Sequence, residues 1–149
     1  MWKGTPAGAG GAGCRREGGA TVVVVTRHSI GQLNDYVDGE AVARDVDGLG
    51  VVVWRDGDDV CVVRNHCPHL GLSLTKGPGG FSAEGGEITC PWHSSRFDLC
   101  SGENLDWVVG FAGRGMPRWS QKLVAMGRQP SPLTTYTVAR EGDDLFVDL

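Results

Sequence analysis

Two short segments, Cys67-Pro68-His69 and Cys90-Pro91-Trp92-His93, constrain this chain more than any other feature. Each offers one thiolate and one imidazole, so a fold that uses them must bring two separate loops to one point. Structural zinc sites more often take paired cysteines from one turn and paired histidines from a helix. One Cys and one His from each of two loops suits a different object, a cluster of two irons and two sulfides. In it one iron is held by the two cysteines and the other by the two histidines, and the cluster moves one electron. A zinc-binding structural module is the other reading of the same four donors.

The remaining composition sets the frame around those loops. With 149 residues, 40% of them apolar, the chain suits one domain with its own core. Its 24 glycines lie well above the roughly 7% average and argue for turns and close-packed loops, hence an all-β fold. A net charge of −4 without a basic stripe predicts no nucleic acid, and points to a protein partner or small redox carrier. The apolar run Val22 to Val25 is far short of the ~20 residues that cross a bilayer, so no membrane span is expected. Arg15-Arg16 is followed by Glu17-Gly18-Gly19 rather than an apolar stretch, which argues against an export signal. Of the five cysteines, at 14, 61, 67, 90 and 100, the three outside the ligand pairs form no evident disulfide pattern. That predicts a reducing compartment, the cytoplasm.

Along the chain, residues 1–20 read as a flexible Gly-rich tail and 21–149 as the folded domain. Strands are predicted at Thr21 to Thr26, Gly50 to Trp54 and Val60 to Arg64, the last two joined at Asp56-Gly57-Asp58-Asp59, a hairpin signal. That pairing delivers Asn65 to the first loop. Residues 77–86 are too rich in Gly and Pro for a helix and read as a surface excursion. Glu87 to Thr89 feeds the second loop, Phe97-Asp98-Leu99 leaves it, and Ser101-Gly102-Glu103 turns. Thr134 to Ala139 and Leu145 to Leu149 close the chain as a hairpin around Glu141-Gly142-Asp143-Asp144.

Cys-Pro-His-Leu-Gly from Cys67 to Gly71, Leu74, Gly77, the run from Cys90 to Leu99 and Ser101-Gly102 resemble the cluster-binding region of Rieske proteins. The closing segment, with Pro132-Leu133, Tyr136 and Val138, is similar to the family's last strands. The resemblance implies antiparallel sheets forming a sandwich or barrel base, with a small cluster-binding subdomain at about 65–103. It implies one 2Fe-2S cluster on Cys67, His69, Cys90 and His93, with His69 and His93 at an exposed tip through which the electron leaves. It also implies a soluble electron carrier between a reductase donor and an oxygenase or similar acceptor. A small subunit of a reductase complex, such as that of nitrite reductase, is the alternative. The membrane-bound respiratory members carry an additional cysteine in each loop; Leu72 and Trp92 stand there, so no such clamp can form. Ser95 matches a serine that hydrogen-bonds the cluster in high-potential members, but Phe97 replaces their tyrosine. Ser94 stands where soluble members have glycine, and a positive φ there would strain it by something like 1 kcal/mol.

Charge counting accounts for the mixed ligands. Two iron(III) ions and two sulfides carry +2, which two thiolates and two neutral imidazoles neutralise. All-cysteine ligation would be two charges more negative, and this is why Rieske centres lie at about −150 to +300 mV rather than near −400 mV. Ser95 without the tyrosine predicts an intermediate-to-low value. No catalytic residue is expected. A mononuclear oxygenase iron takes two histidines and a carboxylate, and only His28 and His66 remain uncommitted. Cys61 reads as a small core residue, Cys100 as a turn residue rather than a fifth ligand, His66 as solvent-facing, and Trp92 and Phe97 as hydrophobic covers. Between Trp107 and Arg140 lie Arg114, Arg118, Lys122 and Arg128 with no acid. Pro117, the spacing of Trp119, Leu123 and Met126, and Gly127 predict a short amphipathic helix covering the base sheet. A basic docking surface for an acidic redox partner is the second reading of that segment.

Overall fold

Period-two alternation in two central strands organises the molecule. The structure, a computed structural model, describes residues 24–149, so the expected tail at 1–20 lies outside the described residues. Strand β3 (Leu49–Asp56) turns Val51 and Val53 towards one apolar cluster and Val52 and Trp54 towards another. Strand β4 (Asp59–Arg64) divides Val62 and Val63 in the same way. Each fully buried aliphatic side chain contributes about 1.5–3 kcal/mol relative to exposure, so a sheet covered on both faces gains twice from one run of valines.

These strands belong to a six-stranded antiparallel sheet ordered β1-β12-β11-β4-β3-β2, with β1 at Arg27–Gln32, β2 at Ala41–Val46, β11 at Thr135–Glu141 and β12 at Asp144–Asp148. β11 curls the sheet. Thr135 and Tyr136 pair with β4, and the residues from Thr137 onward pair with β12. A four-stranded antiparallel sheet, β5 (Ser82–Glu84), β6 (Glu87–Thr89), β7 (Arg96–Asp98) and β8 (Asn104–Asp106), packs beside it. A small hairpin, β9 (Gly110–Phe111) with β10 (Arg114–Gly115), and one helix, α1 (Arg118–Val124), follow. The all-β expectation holds, and both hairpins read from Asp-Gly and Gly-Asp turns form in register.

Four expectations change. The first described strand is Arg27–Gln32, not Thr21 to Thr26; residues 24–26 are not strand, and 21–23 lie outside the described residues. Residues 77–86 are not a bare surface excursion. β5 within them pairs with β6, and Gly79 N–H donates to the carbonyl of Pro91 at 3.0 Å, tying the segment beneath the second loop. The helix forms where expected, ended by Met126 and Gly127 at positive φ, but it does not cover the base sheet. None of its residues is buried, and Trp119 is 74% exposed.

The fourth change concerns cysteine. Cys61 on β4 and Cys100 in the turn after β7 are disulfide-bonded, with Cα atoms 4.9 Å apart. The bond joins the six-stranded sheet to the four-stranded one, a proximity created only when the 98–102 turn docks against the chain near Leu133. Leu133 N–H donates to the Gly102 carbonyl at 2.8 Å, and a Cβ on Gly102 would stand 2.7 Å from the Leu133 oxygen. Cys61 still packs against the core and Cys100 still lies in a turn, as read, but neither is a free thiol. Replacing both by serine is expected to cost roughly 2–4 kcal/mol in urea unfolding, because a bridge across 39 residues restricts the unfolded chain.

Candidate metal centre

The two loops are built alike. The first leaves β4 through Asn65, whose side chain pins the far end of the loop. Asn65 Oδ1 accepts from Leu74 N–H at 2.8 Å, and Nδ2 donates to Thr75 Oγ1 at 2.7 Å. The second is the hairpin loop between β6 and β7, which pair up to Thr89 and Arg96. In each, the cysteine N–H donates to the carbonyl five residues on, Cys67 to Leu72 and Cys90 to Ser95, both at 2.8 Å. Each cysteine carbonyl accepts from the residue four on, Gly71 at 2.8 Å and Ser94 at 3.0 Å. Closing so tight a turn requires left-handed backbone at that fourth residue, and Gly71 and Ser94 have φ of 74° and 56°. The condition attached to Ser94 is therefore met.

This repeat aims backbone N–H groups at both sulfurs, from His69 and Leu70 to Cys67 and from Trp92 and His93 to Cys90. Oriented amide dipoles of this kind favour thiolate. The two sulfurs lie within 4.8 Å of each other, and their interaction pushes the Cys67 thiol up and the Cys90 thiol down, as expected where two neighbouring thiols hold one proton between them. Both cysteines are buried in the same apolar cluster as Val52, Trp54, Phe97 and Leu99.

Cys67, Cys90 and His93 place donor atoms within 4.8 Å of one another, and Cys90 Sγ lies 3.6 Å from His93 Nδ1. His69 is outside that group of three but beside it. Its ring meets the His93 ring edge to face, centroids 4.2 Å apart. His69 Nε2 lies 3.1 Å from the carbonyl oxygen of Ala125, which can only accept, so Nε2 carries the proton and Nδ1 keeps its lone pair. That Nδ1 is buried without a hydrogen-bond partner. Burial also holds the His69 pKa below the usual imidazole range, which keeps it neutral. Two neighbouring sulfurs that hold one proton between them, with imidazoles gathered beside them in a buried site, fit an iron-sulfur cluster with mixed ligands.

A family model described as "Rieske [2Fe-2S] domain" matches residues 26–107. The chain belongs to the Rieske [2Fe-2S] domain family. The domain binds one 2Fe-2S cluster. The ferredoxin component of the naphthalene 1,2-dioxygenase/salicylate 5-hydroxylase systems of Ralstonia sp. is 32% identical over 73 residues, which are 49% of this chain and 66% of that one. The 3-phenylpropionate/cinnamic acid dioxygenase ferredoxin subunit of Escherichia coli (strain K12) is 26% identical over 115 residues, 77% of this chain and 86% of that one. Among solved structures, the ferredoxin of carbazole 1,9a-dioxygenase from Nocardioides aromaticivorans IC177 superposes with a TM-score of 0.53. It is 31% identical, covering 83% of this chain and 95% of that one.

Against the Rieske pattern, the histidines depart from expectation. Neither forms an exposed tip, since His69 is fully buried and His93 is 3% exposed. The cover comes from the last residue of the family match and from residues beyond it. Trp107 stacks edgewise on His69 at 5.4 Å, held by its Nε1–H donating to the Arg128 carbonyl at 3.1 Å, and Ala125 caps Nε2. Nothing in the sequence marks Ala125, which acts through its backbone. The other readings fare variously. Phe97 is a core residue within the cluster of buried apolar side chains, while Trp92 is a partial cover anchored by its Nε1–H to the Lys76 carbonyl at 3.0 Å. His66 is exposed, and His28 pairs with Asp47 on the remote sheet.

Ser95 is fully buried, and its Oγ accepts from Val108 N–H at 2.9 Å, leaving the hydroxyl proton to donate elsewhere. Ser94, partly buried, holds left-handed backbone while its side chain abuts Gly110. Ser94→Gly is expected to raise stability by about 0.5 kcal/mol at most, the ~1 kcal/mol of strain relieved less ~0.5 kcal/mol or more of added chain entropy. A thermal melt with a slightly higher midpoint checks this, and a lower midpoint contradicts it.

Proposed function

We propose that this protein is a soluble Rieske-type electron carrier that takes single electrons from a reductase and passes them to an oxygenase or similar terminal component. The observation that carries the reading is the convergence of Cys67, Cys90 and His93, with the orphaned Nδ1 of His69 beside them, at the meeting of two matched loops. Cys67 and Cys90 would hold one iron and His69 and His93 the other. The domain assigned to residues 21–149, of which 24–149 are described, would carry its cluster-binding subdomain at about 65–103. The cluster, when bound, supplies reversible one-electron chemistry. The protein's own groups prepare the site. Amide N–H groups favour the thiolates, Ala125 sets the His69 tautomer, and Phe97, Leu74 and Ile88 keep water from the sulfurs. The relatives named as ferredoxin components of dioxygenase systems support this role.

A cytoplasmic location belongs to the same proposal. The Cys61–Cys100 bond removes the odd-cysteine argument for it. That bond is itself uncommon in a reducing compartment, and what supports the placement is the neighbouring pair Cys67 and Cys90, which stay unbridged and can take iron as thiolates. Subcellular fractionation alongside a cytoplasmic marker tests the placement, and recovery with extracytoplasmic markers refutes it.

Iron and acid-labile sulfide analysis with low-temperature electron paramagnetic resonance of the reduced protein tests the function. The expected result is equal iron and sulfide, a single reduced-cluster signal and a midpoint potential below about +200 mV, short of the top of the Rieske range. Cys67→Ala, Cys90→Ala, His69→Ala and His93→Ala should each lower bound iron roughly tenfold or more. Zinc without sulfide overturns the reading.

A further inference from the structure

The segment after Trp107 does something the carrier role does not by itself explain. It covers the histidine through which an electron would leave, and it replaces that histidine at the surface with α1. Ala125, directly after α1, accepts a hydrogen bond from His69 Nε2 at 3.1 Å and also one from Arg128 N–H at 2.9 Å. The surface of α1 is therefore joined to the site through one carbonyl and one imidazole.

The outer face of this segment is apolar at its centre and basic around it. Trp119 and Leu123, one helical turn apart, are 74% and 70% exposed, and Met126 is 68% exposed. Arg114, Arg118, Lys122 and Arg128 are all exposed, and among the described residues none of them forms a salt bridge. The rest of the molecule is acidic, for the chain carries −4 overall while residues 107–140 contain no acid at all. A cleft of about 300 Å³, lined by Trp107, Arg118, Gln121, Lys122 and Ala125, opens between α1 and the ring that covers His69. Two cations at its rim and an aromatic wall suit a carboxylate side chain reaching in from outside.

We propose that α1 and its flanks are the docking surface for the electron acceptor, a protein whose contact face is acidic with an apolar centre. Trp119 and Leu123 form the dry centre of the contact, and an acidic side chain of the acceptor enters the cleft between Arg118 and Lys122. Interfaces commonly place aromatic anchors at the centre and charges at the rim, and the charges chiefly speed encounter. One electron passes to the acceptor by way of His69 and the Ala125 carbonyl, and no bond is made or broken. The proposal rests on the carrier reading given above.

Gold electrodes bearing monolayers that end in mixed carboxylate and methyl groups imitate such a face, and amine-ended monolayers serve as the contrast. Adsorption is read by surface plasmon resonance and electron exchange by voltammetry on the cluster-loaded protein. At low ionic strength the wild-type protein should bind the acidic apolar surface and exchange electrons reversibly. Arg118→Glu with Lys122→Glu should lower both binding and exchange rate by roughly tenfold, and Trp119→Ala should lower both severalfold, with the resonance spectrum of the cluster unchanged. The charge effect should vanish near 1 M salt, where the Debye length is about 3 Å. Equal behaviour of the charge-reversed and wild-type proteins, or equally fast exchange on the amine-ended surface, overturns the proposal. Absence of a cluster spectrum would instead defeat the carrier reading, so the two failures are distinguishable.

Discussion

Burial of Cys67 and Cys90 within one apolar cluster is the constraint on which the rest of the structure depends. The same cluster holds Val52, Trp54 and Val63 of the large sheet and Ile88, Phe97 and Leu99 of the small one. The metal centre is thus not an attachment to a finished core; it grows from the seam between two sheets. A thiolate in such surroundings needs compensation, because burying an unpaired charge is costly. The matched loops supply it with amide N–H groups at the second and third residues after each cysteine. The requirement for two such nests explains why both turns close with the same hydrogen bonds and the same left-handed residue.

Holding those loops in place takes independent fastenings. Asn65 closes the first loop, Gly79 ties the preceding segment to Pro91 under the second, and the Cys61–Cys100 bond binds the two sheets. The second loop is also backed by the β9 edge, where Gly110 and Ala112 donate to the carbonyls of His93 and Trp92 at 3.1 and 2.9 Å. Rigidity suits a one-electron centre, since any rearrangement between oxidation states would slow transfer. The absence of the loop clamp of respiratory Rieske proteins at Leu72 and Trp92 leaves these other ties to hold the site.

The histidine side of the centre follows different physics. An exposed imidazole would meet a partner directly, but Trp107 and Ala125 exclude solvent from His69 and fix which nitrogen bears its proton. That gain in order moves the contact surface outward to α1, and it leaves Trp119, Leu123 and Met126 in solvent on a helix too short to stand without tertiary support. Exposed apolar side chains beside a redox site carry a cost in water that a partner would relieve.

The local elements were legible wherever the signal was itself local. Asp-Gly and Gly-Asp turns between β-branched runs located the two main hairpins, and Pro117 with Gly127 located α1. The four candidate ligands were read from their spacing and from flanking residues that resemble Rieske proteins, because ligand chemistry restricts residue type more severely than packing does. β2, β5, β8 and β9 escaped: Ala41–Val46 carries polar and charged residues without clean alternation, and the short strands form only because a neighbour offers its edge. What the sequence by itself determined was an all-β Rieske domain with a cysteine and a histidine in each of two loops, since these depend on neighbours in the chain. Only the tertiary structure decided that Cys61 meets Cys100, that Ser94 adopts the glycine conformation, and that His69 lies beneath Trp107 and Ala125. Those outcomes depend on groups far apart in sequence, whose contact exists only after the two sheets and the segment beyond them have packed.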